Sequence, residues 1–225
     1  MNNQLELMNI QAEVLFVHDH AGRITVINEP IIQPAPRLFW GHTKLGHVLR
    51  FRSDLPKVIA NEILQIMNQD DKNDKLANVI QILEKDKKMN RLWIGPAYVC
   101  LERSTAPGNA VLVTKHNKHY LEAGFASLAS ELTNRGPFYM VIENDKAVSV
   151  CFSARSTDRA AEAGVETLEG YRGKGYAMSV VSSWCRAIHE SSRIPLYSTS
   201  WDNYASQSIA KRLHFYQYGT DLSIY

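Results

Sequence analysis

The chain has 225 residues, 45% of them hydrophobic and 21% charged, enough apolar material for one large core or two small ones. A formal net charge of +2, with 25 Lys and Arg dispersed apart from short runs such as Lys85-Asp86-Lys87-Lys88, argues against a dedicated nucleic-acid surface. Cys100, Cys151 and Cys185 are too widely spaced for a disulfide framework, no apolar run approaches the roughly 18 residues that span a bilayer, and Met1–Glu6 lacks the features of a signal peptide, so the expectation is cytoplasmic residence.

In chain order, Val14–Val17 and Ile24–Ile27 flank a polar, glycine-containing loop and predict a hairpin. Ser53-Asp54-Leu55-Pro56 offers a cap and an early proline to a helix carrying Ile59, Ile63 and Ile66. A second helix from about Asn73, with Leu76, Val79, Ile80 and Leu83 on one face, is expected to pack against it. Arg91–Ile94 and Tyr98–Leu101 read as two strands around Gly95-Pro96, and Ser104–Asn109 reads as a linker. These signals divide the chain into an α/β half of unknown role (1–103), a linker with a first strand (104–114) and a C-terminal domain (115–225). Within the last, His116 and His119 mark the start of a helix carrying Leu121, Phe125, Leu128 and Leu132. Phe138–Glu143 and Ala147–Phe152 around Asn144-Asp145-Lys146 form a hairpin, and Glu162–Leu168 alternates as a strand. A helix from Tyr176 to His189 carries Ala177, Val180, Val181, Trp184 and Ile188 on one face. Ile194–Ser200 is a strand, after which Trp201–Ser206 opens a helix carrying Ile209 and Leu213, followed by Phe215.

The run Tyr171-Arg172-Gly173-Lys174-Gly175-Tyr176-Ala177 places two glycines and two cations between a strand and a helix. The first helical turn has backbone N–H groups without internal partners, and glycines let an anion approach them, so a pyrophosphate is the natural ligand. A Walker loop would need Ser or Thr after Lys174, where Gly175 stands. A dinucleotide fingerprint would need glycine at Met178. The remaining pattern, Arg172-x-x-Gly175-x-Ala177, resembles the acyl-CoA pyrophosphate loop of the GNAT superfamily of N-acetyltransferases. Asn203 before the last helix and Phe215 after it match the same superfamily, and the resemblance covers about residues 115–225.

The resemblance implies an α/β (α+β) fold: a mixed, splayed β-sheet flanked by helices, with acetyl-CoA or another short acyl-CoA between the strands near Val165 and Ser198. The smaller N-terminal half is similar in arrangement to members with a degenerate second unit, such as the glycine N-acyltransferases. Val165, Glu166 and Thr167 would hold the pantetheine arm through their backbone. Arg172, Gly173, Lys174, Gly175, Tyr176 and Ala177 would hold the pyrophosphate, with Ser198, Asn203 and Ser206 completing the site. The general base is expected at Glu166 or Glu162, which strand periodicity puts on one face with Gly164 leaving space between them. Both also read as solvated strand positions. The superfamily's tyrosine seven residues after the Asn is replaced by Ala210. Tyr204 is the nominated general acid, with Tyr197, Tyr216 and Tyr218 also open; each reads equally as a packing aromatic. His214 stands where glycine usually precedes the phenylalanine.

Neither His18 with His20 nor His116 with His119 has accompanying ligands at metal spacing, and aminolysis of a thioester needs no metal, so none is expected. The expected activity is direct acetyl transfer from acetyl-CoA to a primary amine of a small-molecule or peptide acceptor. A non-catalytic acyl-CoA sensor and a nucleotide-binding domain are the rival readings. No nucleic-acid or membrane partner is expected, and a homodimer is left open.

Overall fold

The computed structural model describes residues 3–30, 33–69, 74–102, 108–132 and 134–225. Helix α1 (Gln4–Leu15) is capped by the Asn3 side chain, which accepts from the Glu6 N–H at 2.8 Å. Apolar residues alternate with buried polar ones such as Gln11, so its amphipathic signal is weak; Val14 and Leu15 end this helix instead of opening a strand. The expected hairpin is correspondingly shorter, β1 (Phe16–His18) with β2 (Ile24–Ile27). An antiparallel pair follows that the sequence reading missed, β3 (Leu38–Thr43) and β4 (Gly46–Phe51). Helices α2 (Lys57–Met67) and α3 (Lys75–Glu84) pack together through Ile59, Ile63, Val79 and Leu83, as their periodicity requires.

In place of two strands around Gly95-Pro96 there is one, β5 (Leu92–Val99). A Cβ at Gly95 would lie 1.7 Å from the Thr199 carbonyl oxygen, so glycine is there to let the segment around Thr199 cross close to the strand. Most of the expected Ser104–Asn109 linker, Ser104 to Pro107, lies outside the described residues. β6 (Val111–Leu112) leads to a region where one helix was expected but two fragments form: a 3₁₀ turn, Lys118–Leu121, and α4 (Ala126–Ala129). Gly124 separates them, and its backbone lies so close to Leu168 that a Cβ would sit 3.0 Å from that side chain.

β7 (Phe138–Glu143), β8 (Lys146–Ser156), β9 (Ala160–Thr167), α5 (Tyr176–Glu190), β10 (Ile194–Ser198) and α6 (Tyr204–Arg212) follow the sequence closely, and a last strand that the sequence did not announce, β11 (Tyr216–Ile224), ends the chain. Asn144 and Asp145 take φ of 51° and 56°, the left-handed pair that a two-residue hairpin needs.

Among the described residues nine strands form one mixed sheet in the order β4-β3-β11-β5-β10-β9-β8-β7-β6. β5 lies between β11 and β10, so strands from before residue 103 and after it hydrogen-bond side by side, and the sheet runs across the expected division of the chain. α1 covers one face through Leu7, Met8, Ile10 and Val14. α5 covers the opposite face, burying Val180, Val181, Trp184 and Ile188 over β7 to β10, each contributing about 1.5–3 kcal/mol by leaving water. The three cysteines are free and buried, and among the described residues no helix is long and apolar enough to cross a membrane.

Candidate functional site

β9 and β10 are parallel neighbours, registered from Ile194 opposite Ala160 to Leu196 opposite Glu162. Beyond Glu162 the two strands separate, while β9 stays paired to β8 as far as Thr167. One edge of residues 163–167 is therefore released from the ladder, and its backbone groups are available to a ligand. Glu162 sits at the vertex: its Oε1 accepts from the Ser198 N–H at 2.6 Å and from Ser198 Oγ at 2.7 Å. A side-chain carboxylate thus takes the N–H that continued pairing with β9 would have used, and it wedges the strands apart.

Side-chain alternation divides β9 between the two faces. Ala161 and Val165 belong to the α5 side, whereas Ala160 packs in the α1 cluster, which puts Glu162 on the α1 side. At the N-terminus of α5 lies a cavity of about 750 Å³ lined by Val165, Glu166, Thr167, Arg172, Gly173, Gly175, Tyr176 and Ala177, beyond them by Tyr197, Asn203, Ser206 and Arg212, and on the opposite face by Phe125 and Leu168. A second cavity of about 440 Å³ is lined by Glu162, Ala163 and Ser198 together with Asp221, Trp93, Arg91 and Tyr225. Asn203 borders both. The two cavities adjoin at the opening between β9 and β10.

The glycine loop sits at the mouth of the first cavity. Gly173 and Gly175 take φ of 78° and 84°, and Gly175 is the N-cap of α5. A Cβ at either would meet nothing within 4 Å, so neither glycine is packed against a neighbour, and the first turn of α5 offers N–H groups that have no acceptor within the helix. Arg172 donates from Nε to the Thr167 carbonyl at 3.4 Å, which holds the cation beside the released edge of β9.

All but two of the expected cofactor residues line this cavity. Lys174 does not: its ammonium lies 3.5 Å from Glu143 and 4.9 Å from the centre of the Tyr171 ring, drawn away from the loop's concave side by a carboxylate on β7. Ser198 lies on the second cavity, held there by Glu162.

The two candidate bases also separate. Glu166 is exposed on the wall of the first cavity, whereas Glu162 is 3% exposed. Burial pushes the Glu162 carboxyl up, partly offset by the two Ser198 donors and the Arg155 charge. Gly164 does not leave space between them, because the Phe152 ring lies where its Cβ would go, at 2.6 Å. Tyr204, the nominated acid, is 78% exposed at the first position of α6 and lines neither cavity. Tyr197 lies on the wall of the first cavity with its hydroxyl 2.6 Å from Ser206 Oγ, and burial pushes its phenol well up. The cap expected at Asn203 is present, its Oδ1 accepting from the Ser206 N–H at 3.1 Å.

A family model described as GNAT acetyltransferase matches residues 103–225, the stretch that holds β9, the glycine loop and α6. The chain belongs to the GNAT acetyltransferase family. No curated protein sequence is similar enough to count as a match. A GCN5-related N-acetyltransferase-like protein from Streptococcus suis superimposes with a TM-score of 0.52 at 14% identity, over 85% of each chain. A GNAT-family acetyltransferase from Colwellia psychrerythraea gives 0.51 at 12% identity, over 79% of this chain and 75% of that one. A GNAT-family protein from Novosphingobium aromaticivorans gives 0.51 at 16% identity, over 61% of this chain and 66% of that one. At such identities the likeness is one of fold.

Within this GNAT fold, Ala210 is fully buried against α5, so the position carries packing and no hydroxyl. His214 takes φ of 55°, the left-handed conformation for which glycine is the usual residue after a helix. The sequence reading missed the second cavity. Its one visible signal was Asp221, a carboxylate among the alternating apolar residues of the last strand.

Proposed function

We propose that this GNAT acetyltransferase moves an acetyl group from acetyl-CoA to a primary amine of a small-molecule or peptide acceptor, by direct attack with both substrates bound. The observation that carries this is the pair of cavities that share Asn203 beside the place where β9 and β10 part. One has the open helix N-terminus and released strand edge that suit a pyrophosphate and a pantetheine arm, and the other has a buried carboxylate at the junction. Acetyl-CoA supplies the acetyl group as a thioester.

The chain's own groups account for the protons. An amine arriving as an ammonium must lose one proton to become a nucleophile, and a second must leave nitrogen as the amide forms. Glu162 takes the first at its free Oε2 and returns it to solvent. A carboxyl whose proton affinity is raised by burial is better matched to an ammonium than an ordinary one. Burial keeps the Tyr197 hydroxyl protonated, so it can give its proton to the departing sulfur and recover one originating on nitrogen. The backbone of Val165, Glu166 and Thr167 orients the acyl carrier, and Arg172 adds charge beside the glycine loop. The reducing cytoplasm suits three free, buried thiols.

Release of CoA thiol on mixing the protein with acetyl-CoA and a panel of primary amines tests the reading, and the release should depend on the amine. Calorimetry with acetyl-CoA, CoA, ATP and NAD supplies the counter-test: preference for ATP or NAD, or acetyl-CoA binding without thiol release on any amine, would contradict it.

A further inference from the structure

Asp221, on β11, is 1% exposed on the wall of the second cavity and fits no structural role completely. Gln11 donates from Nε2 to its Oδ2 at 2.7 Å, and the Tyr218 hydroxyl donates to Gln11 Oε1, so the carboxyl is fixed from the α1 side. Its other oxygen, Oδ1, is buried without a partner, and so is Glu162 Oε2. The groups are close enough that the Glu162 charge adds to burial in raising the Asp221 pKa. Two unpartnered carboxyl oxygens, buried on residues that line one cavity, are costly unless something cationic or proton-bearing satisfies them.

The strand register sets what lies at the cavity's other end. Asp221 is opposite Gly95 and Ser223 opposite Trp93, and beyond them the Tyr225 N–H donates to the Arg91 carbonyl at 3.0 Å. Asp221, Ser223 and Tyr225 alternate onto one face, as do Gly95, Trp93 and Arg91. The Arg91 guanidinium carbon sits 3.6 Å from the centre of the Tyr225 ring, and among the described residues no carboxylate pairs with it. The four strand steps from Asp221 to Tyr225 span about 13 Å at roughly 3.3 Å each. An α-amino acid carries both charges on one carbon and does not reach across four such steps, whereas a short extended peptide gains about 3.5 Å with each residue.

We infer that the second cavity takes a short zwitterionic peptide, its N-terminal ammonium at Glu162 and Asp221 and its C-terminal carboxylate at Arg91. This rests on the acyl-transfer reading above and names the acceptor class for it. The ammonium enters between Glu162 and Asp221, Trp93 flanks the middle, and Arg91 receives the carboxylate at the far end.

The test is CoA release with three probes: alanyl-alanine, its C-terminal amide, and alanine. The inference expects kcat/KM for the free dipeptide at least tenfold above both others. Arg91→Gln should collapse the dipeptide-to-amide ratio towards one, and Arg91→Lys should retain part of it. Equal rates for dipeptide and amide on the wild type, or an unchanged ratio in Arg91→Gln, would overturn the inference while transfer itself stands. Acetyl-CoA binding with no thiol release on any amine would instead bring down the transferase reading and this inference with it.

Discussion

The two cavities adjoin but are built by opposite means. The first is made largely of backbone and drawn mainly from two stretches of sequence, 165–178 and 203–212, with Gly124, Phe125 and Tyr197 beside them. Its chemistry comes from groups every residue carries: N–H donors at a helix start and a strand edge freed from its ladder. The second is made of side chains, from Phe16 at one end of the chain to Tyr225 at the other, gathered because β11 and β5 lie side by side in the sheet. The first can hold a carrier common to a whole family, while the second can vary residue by residue and so select an acceptor. Glu162 belongs to both designs, since one oxygen accepts from Ser198 at the splay and the other is buried without a partner on a residue that lines the second cavity.

The sharpest way to break that contrast is Glu162→Gln. Glutamine keeps an oxygen for the Ser198 N–H and so keeps the splay, but it cannot take a proton. Turnover should fall about 10² to 10⁴-fold while calorimetry finds CoA affinity unchanged. Loss of both together would show that the residue acts only on architecture.

Asp221→Asn probes the acceptor side through stability. The Asp221 pKa is raised well above its ordinary value by burial first, then by the Glu162 charge. The folded state therefore holds its proton longer than the unfolded chain, and the wild type loses stability as pH rises from the unfolded carboxyl pKa to the folded one, at about 1.4 kcal/mol per pH unit. Asparagine retains an acceptor for Gln11 and has no such loss. Melting curves should coincide below the ordinary carboxylate range and diverge above it, with the variant the more stable; a constant offset at all pH values would count against a strained carboxyl.

Gly175→Ala tests the cofactor side. The φ of 84° costs a non-glycine residue roughly 1–2 kcal/mol, and relieving it shifts the loop that opens α5 on the cavity wall. A Kd for CoA raised about tenfold, with a modest drop in melting temperature, is expected. Lys174→Ala should do least: its ammonium is engaged by an exposed pairing with Glu143, of a kind worth about 0–1 kcal/mol, so CoA affinity should stay within about twofold. A tenfold loss would place Lys174 back on the cofactor.

The same contrast explains how much could be read in advance. The glycine loop, α5, Asn203 and Phe215 were legible because a site made from contiguous backbone leaves its pattern in adjacent letters. β11 and the second cavity were not, since Asp221 becomes informative only when Gln11, 210 positions earlier, is found holding it. α1 was hidden by the polar residues it buries, and the helix expected from His116 to Leu132 was broken by Gly124, whose close approach to Leu168 no local period reveals. Lys174 and Ser198 were assigned to the cofactor by position in a motif, and their partners Glu143 and Glu162 turn them elsewhere. Tyr204 and Tyr197 could be told apart only by burial.

The pH dependence of kcat/KM in wild type and Glu162→Gln tests the central claim most directly. Glu162 must be ionised to take a proton, and burial raises its pKa against the opposing Ser198 donors and Arg155 charge, with Asp221 facing the same cavity. The wild type should therefore gain activity with rising pH through a limb lying above the ordinary carboxylate range, and the variant should lack that limb. The same limb in both proteins would contradict the account.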